Sequence, residues 1–376
     1  MSYFRIFIAL CWLFTAGWQR VALADDGRRI GAVLGLTGPS SIIGQDIRQG
    51  MEICLDPGSE LFVEDSQGLP AAGLTAFKKL VEQDKVDVSV VTFSGVAGAV
   101  LPVAATKQVP VILTLVSARG LIKDSKQDAF RFFTSGEQEG PIMARYLSST
   151  EGVKRAALLH LEDEYGLSYA TAFASEFKGR RGTIVATEGY SRDTVDFRAL
   201  LTRIRVKGVE AIYLIGHDSH ILNIVRQARE QGAKEVLASN WILASPTVRQ
   251  GKEALLEEVI FTSPDFYWAE TPKQRKFTAT FTEKYGSSPT AYSALGCDVV
   301  DLIEQYPVKS IGSALRQINQ YDGTIGKVSS SLDGSLEFPL YPVKLKGGKI
   351  IGLEQVTPRE ASDAGAPRPP GKKVRH

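Results

Sequence analysis

Short apolar runs alternate with amphipathic stretches along most of this chain. Residues 29–36, 60–64, 86–92 and 109–115 are rich in Val, Ile and Leu and read as strands. Between them, residues 44 to about 55, 71–83 and 96–107 have helical spacing. In the second of these, Leu74, Phe77, Leu80 and Val81 fall on one face. The alternation resumes after residues 130–133. Strands are expected at 156–161, 183–188 and 211–215, and helices at 168–178, 196–206 and 221–230. Apolar strands separated by helices predict parallel sheets covered on both faces. Such sheets bind ligands beyond the carboxyl ends of their strands. After about Ile260 the pattern changes to long helices, 273–285 and 291–305. A hairpin-like segment, 326–349, comes next, with turns at Asp333-Gly334 and Gly347-Gly348. No short internal repeat is present.

The N-terminus changes this picture first. Arg5, an apolar run over 6–18 and Ala22-Leu23-Ala24 make a secretory signal peptide cut after Ala24, with an uncleaved anchor as the alternative. Cys11 lies inside the apolar run behind Leu10, which is not a small residue, so lipidation there is not expected. Removing 24 residues from 376 leaves about 352, enough for two domains. Apolar content of 44% and charge of 23% are ordinary for a globular protein. No second apolar run reaches membrane length. The net charge is +2, but residues 358–376 hold five Arg or Lys against two acids. That +3 leaves −1 for the rest (2 − 3), so there is no basic field for nucleic acid. The tail has no apolar period and is expected to be a disordered basic segment. Past the signal peptide there are two cysteines, Cys54 and Cys297. An oxidising compartment permits a bridge, and two buried free thiols remain an equal alternative. There is no C-x-x-C, so zinc or thiol-exchange chemistry has no support.

An ordered set of short motifs runs through nearly the whole mature chain. It begins with Gly35-Leu36-Thr37-Gly38-Pro39, then Gly44 and Gly50. Ser94-Gly95-Val96-Ala97 comes after Val91, and Pro102 precedes Val109-Pro110-Val111-Ile112. Phe130-Arg131 leads to Glu137-Gln138 and Gly140. Asp163-Glu164-Tyr165-Gly166 is succeeded by Gly189-Tyr190, Asp196-Phe197 and Arg226-Gln227-Ala228-Arg229. Tyr321-Asp322-Gly323, Gly326-Lys327-Val328, Asp333-Gly334 and Tyr341-Pro342-Val343 complete it. This set resembles the leucine/isoleucine/valine-binding family of type I periplasmic solute-binding proteins of ABC transporters. The resemblance implies an α/β, two-lobed fold, each lobe a mainly parallel sheet flanked by helices, joined by a three-strand hinge. Closure about that hinge would trap a ligand. The expected division is 25–134 for the first lobe, 135–262 for the second, 263–320 for a return to the first and 321–357 for the hinge and the second lobe's end.

Candidate ligand contacts sit at strand-to-helix junctions. Ser94 and the N–H groups near Gly95 form an anion site at a helix N-terminus, or Ser94 is only a cap. The resemblance implies carboxylate binding at Ser94 and at Ser117. Arg119 departs from the small hydroxyl residue usual in the family; it pairs with a second acid group, points to solvent or closes a salt bridge. Tyr165 presents a flat body and a polar tip. Asp218 is a partner for a ligand ammonium. His217 and His220 lack the further ligands a metal needs. Trp241 and Ile242 read as pocket wall or core. Ser40, Ser41 and Ile42 read as the cleft mouth. Two stretches depart from the family, Val91-Thr92-Phe93 before the serine and the short connection from Cys54 to Glu60.

These readings predict a non-enzymatic, monomeric, periplasmic protein without cofactor or metal. It would bind a small polar solute, such as an amino acid or a related carboxylate or amide, and pass it to an ABC permease in the inner membrane. An enzyme is the first alternative. Gly31, Gly35 and Gly38 have the wrong spacing for a dinucleotide turn, and Phe93-Ser94-Gly95 lacks the first glycine of a nucleophile elbow. A sensory or scaffold protein on the same fold is the second.

Overall fold

A computed structural model describes residues 27–38, 41–123, 129–268, 270–331 and 333–353. The segment expected to be a signal peptide, Ser40 and the expected disordered tail over 358–376 lie outside the described residues. The first half runs β1 (Arg29–Leu34), α1 (Ser41–Cys54), β2 (Glu60–Asp65), α2 (Pro70–Glu82), β3 (Val88–Thr92), α3 (Ser94–Lys107), β4 (Val111–Thr114), α4 (Gly120–Lys123) and β5 (Ala129–Arg131). Its five strands pair in parallel in the order β2-β1-β3-β4-β5. The order reverses between β1 and β3, which leaves a crevice at their carboxyl ends.

The second half repeats the plan. It runs α5 (Gly136–Ser149), β6 (Arg155–Leu161), α6 (Glu164–Gly179), β7 (Thr183–Tyr190), α7 (Arg198–Arg205), β8 (Ala211–Ile215), α8 (Asp218–Glu230), β9 (Val236–Ser239), a 3-10 turn over Trp241–Ala244, α9 (Pro246–Arg249) and β10 (Ile260–Ser263). The parallel order β7-β6-β8-β9-β10 matches the first sheet strand for strand, with its own reversal between β6 and β8. The chain then returns through α10 (Pro272–Tyr285), α11 (Ala291–Gln305) and α12 (Ile311–Leu315). Next comes a small antiparallel sheet of β11 (Gln320–Asp322), β12 (Lys327–Ser330) and β13 (Leu336–Glu337). Finally β14 (Tyr341–Lys346) and β15 (Lys349–Gly352) extend the second sheet. The two expected turns separate β12 from β13 and β14 from β15. Among the described residues no helix is long and apolar enough to cross a membrane.

Helix α5 was not predicted, because Gly136, Gly140 and Pro141 weaken its local propensity. Ser135 starts it by accepting from the Gln138 amide, and Glu137 and Glu139 lie in its positive first turn. The glycines are there for contact: a Cβ on Gly136 would stand 2.6 Å from the Tyr169 amide nitrogen, and one on Gly140 2.8 Å from that of Phe173. Tertiary packing of α5 on α6 overrides propensity.

The first half is tied to its returning helix. A disulfide joins Cys54 of α1 to Cys297 of α11, so the bridge is the outcome of the two readings left open. Near the crossing between halves, Arg131 is fully buried. Its guanidinium donates to Glu337 at 2.6 Å and to the Phe133 carbonyl at 2.6 Å. Arg119 adds a second cation to the same carboxylate.

Candidate functional site

A cavity of about 310 Å³ lies between the two halves, at the carboxyl ends of both sheets. The first half lines it with the segments directly after β1, β2, β3 and β4. The Asp65 carboxylate accepts from the Leu36, Thr37 and Gln67 amides and so folds the loops that bring Thr37, Gln67 and Gly68 to the wall. Phe93 and Leu115, which also line it, have φ of 70° and 53°. Left-handed backbone in bulky residues is strained, and surrounding packing must hold it. The Phe93 ring lies over Gly35, where any Cβ would be 2.7 Å from it.

Directly after Phe93, α3 begins. The first intrahelical bond is from the Ala97 amide to the Phe93 carbonyl, so the amides of Ser94, Gly95 and Val96 have no acceptor within the helix. The Ser94 hydroxyl is buried and also without a partner. Ser117 joins the wall from the end of β4. Amide and hydroxyl donors at the positive end of a 14-residue helix suit an anion.

The second half contributes a different surface. The Tyr165 phenol donates to the Gly216 carbonyl at 3.1 Å and accepts from the Asn240 amide. Its ring stacks on His217, with centroids 5.9 Å apart. Burial, then the nearby His220 and Arg192, push His217 down to about 3, so the imidazole is neutral at physiological pH. His220 Nε2 is engaged with the Arg192 carbonyl at 2.8 Å. Arg192 in turn reaches across the mouth and donates to the Gly68 carbonyl at 3.1 Å, bridging the halves. Trp241 packs against Phe133 and Phe338 near the crossing and against Tyr292 of α11, the last at 4.4 Å between centroids. Behind this wall Glu139 is fully buried. It accepts from the Trp241 amide at 2.7 Å and from the Thr262 hydroxyl. Burial, opposed by those bonds and by Tyr169, pushes it up to about 7.

Ser94, Gly95, Ser117, Tyr165 and Trp241 are therefore brought together on the cavity wall, with Ile242 beside them. Ser41, Arg119 and Asp218 are not on it. Ser41 opens α1, and Thr37 and Ile43 line the cavity from that side instead. The Arg119 guanidinium is turned to Glu337, 2.8 and 2.9 Å from its two oxygens, which is the salt-bridge alternative. Asp218 starts α8 and is buried; the residue before it, His217, faces the cavity. Sequence reasoning missed Phe93, Arg192, Asn240 and Tyr292 as wall residues. Asn240 comes directly after a strand and carried the same positional signal as Ser94. Tyr292 comes from a helix more than fifty residues after the last wall strand, where no local pattern points to a site.

Comparison with known proteins gives this geometry a context. A family model described as "Periplasmic binding protein" matches residues 28–349. A Brucella melitensis protein described as "Leu/Ile/Val-binding protein homolog 3" is 22% identical over 370 residues, spanning 93% of this chain and 99% of that one. A leucine-binding protein from Thermotoga maritima has a similar structure, with TM-score 0.80 and 22% identity over 89% of this chain and 99% of that one. So does a solute-binding protein of an R. palustris ABC transporter in complex with benzoate, with TM-score 0.79 and 18% identity over 87% and 95%.

Proposed function

We propose, from the premise that the chain belongs to the periplasmic binding protein family, within its Leu/Ile/Val-binding group of non-enzymatic proteins, that it is the solute-binding component of an ABC-type importer. Its solute is a small organic carboxylate with a flat apolar body, held in the cavity between the halves. One observation carries this reading. The buried, unpartnered Ser94 hydroxyl and the free amides of α3 open onto a cavity whose other walls are largely aromatic: Phe93, Phe133, Tyr165, Tyr169, Trp241 and Tyr292. A carboxylate satisfies the donors, and an apolar body fills the rest. The T. maritima protein is described as leucine-binding and the R. palustris one holds benzoate; leucine and benzoate share a carboxylate on an apolar body.

In this mechanism the first half binds the anion. The second half then closes over it about the hinge, with Tyr165 and Trp241 completing the enclosure. The Arg192 bond to Gly68 belongs to the closed mouth. Export to the periplasm by a cleaved signal peptide, a monomeric state, delivery to an inner-membrane permease and the lobe boundaries at 134, 262 and 320 go with this proposal.

The test is a thermal-shift screen of residues 25–376 against aliphatic and aromatic carboxylates, amino acids and the matching amides. A solute at a hundred times its dissociation constant adds about 2.7 kcal/mol of stability, an upward shift of several degrees. Carboxylates should shift the transition and their amides should not. Equal shifts by acid and amide, or none by any carboxylate, refute the reading.

A further inference from the structure

We propose that Asn240 makes the second half of the cavity select a solute with a neutral hydrogen-bond donor, a hydroxyl group, on the part of the molecule away from its carboxylate, and discriminate against an ammonium there. This rests on the reading above, that the carboxylate lies at the start of α3.

The argument is one of donor and acceptor arithmetic. A phenol has one proton. The Gly216 carbonyl, 3.1 Å from the Tyr165 oxygen, can only accept, so Tyr165 donates to it. The same oxygen is within hydrogen-bond distance of the Asn240 side chain and has only acceptor capacity left. Asn240 must therefore turn its Nδ2 to Tyr165, which fixes the amide. Its Oδ1 is left buried and without a partner, in a residue only 2% exposed on the cavity wall. Burial raises the Tyr165 pKa well above the ordinary phenol value, so ionisation does not reverse this pattern. The second half thus lacks one hydrogen-bond donor, and a hydroxyl of the solute supplies it.

An ammonium group needs more than an amide oxygen. Moved into a closed apolar cavity, it requires a carboxylate as partner. His217 is neutral there, and Glu139, whose Oε1 accepts from the Trp241 amide and Thr262, is not on the wall. Glu162 and Asp163 line the cavity but stay exposed to solvent, so neither is a desolvated partner, and Asp163 already caps α6 through the Gly166 amide. Arg192 at the mouth has the wrong sign, and Asp218 is off the wall.

The experiment is titration calorimetry of residues 25–376 with benzoate, 3- and 4-fluorobenzoate, 3- and 4-hydroxybenzoate, 4-(aminomethyl)benzoate and leucine. Fluorine matches a hydroxyl in size but cannot donate. At least one hydroxybenzoate should bind on the order of tenfold more tightly than its fluorinated counterpart. Asn240→Leu should bring that ratio close to one. Tyr165→Phe, which frees the amide to turn, should narrow the ratio with the amide still present. 4-(Aminomethyl)benzoate, whose ammonium is remote from its carboxylate, should bind more weakly than benzoate. Equal binding of hydroxy and fluoro compounds at both positions, an unchanged ratio in Asn240→Leu, or 4-(aminomethyl)benzoate binding more tightly than benzoate overturns the proposal. Leucine binding that survives Asn240→Leu while the benzoates fail removes this proposal and leaves the carboxylate site standing. Failure of every carboxylate removes both.

Discussion

Replacing Ser94 by Ala tests the anion site most directly. Ser94 is the first residue of α3, and its hydroxyl makes no hydrogen bond within the protein. The N-cap is Phe93, which caps nothing through its side chain, so the substitution removes no native bond. Alanine is the better helix former, by about 0.5 kcal/mol. The ligand-free variant should therefore be as stable as the parent within about 0.5 kcal/mol, or slightly more stable. Binding should respond quite differently. A hydroxyl donating to a carboxylate in a closed cavity contributes about 1.5–3 kcal/mol, which is roughly a ten- to 150-fold change in affinity. The amides of Gly95 and Val96 and the helix dipole remain, so binding weakens without vanishing. Calorimetry gives the affinity, and the fluorescence of Trp241 on the cavity wall gives an independent readout. Ser94→Thr keeps the hydroxyl and should recover much of the loss. An affinity for the best carboxylate within twofold of the parent, at unchanged stability, would refute a carboxylate at α3.

Three further outcomes rest on buried groups. Glu139 titrates at about 7 in the fold against an ordinary 4.5, so the native state holds the proton more tightly than the unfolded chain. Stability should thus fall as pH rises from about 4.5 through 7, by about 3 kcal/mol in all, and urea midpoints should show a flatter profile for Glu139→Gln. Reducing the Cys54–Cys297 bridge frees a loop closed over 243 residues and should lower stability by about 2–5 kcal/mol, read as the urea midpoint with and without reductant. Glu337→Ala leaves the fully buried Arg131 guanidinium without its carboxylate and should destabilise the fold by about 3–5 kcal/mol, whereas a loss under 1 kcal/mol would mean that Asp333 compensates.

Most strands and helices were legible because their signals are local. The apolar run over 86–92 and the spacing of Leu74, Phe77 and Leu80 state their own periods, and the elements fall within a few residues of expectation. Helix α5 was not legible, because its glycines serve contact with α6 and read locally as breaks. The site divides in the same way. Ser94, Ser117 and Tyr165 come just after strands of parallel units, and that position alone marks the cleft. Arg119 has the same position, yet its direction depends on Glu337, more than two hundred residues away.

The class of architecture and the family were determined by the sequence alone, since hydrophobic period and ordered motifs are written in adjacent residues. Only the tertiary structure decided which of two open states the cysteines adopt, that His217 rather than Asp218 faces the cavity, and that Asn240 shows an acceptor. Each depends on groups that folding brings together from distant segments. A hydrogen-bond donor or a charge has no fixed meaning until its neighbours and its burial are set.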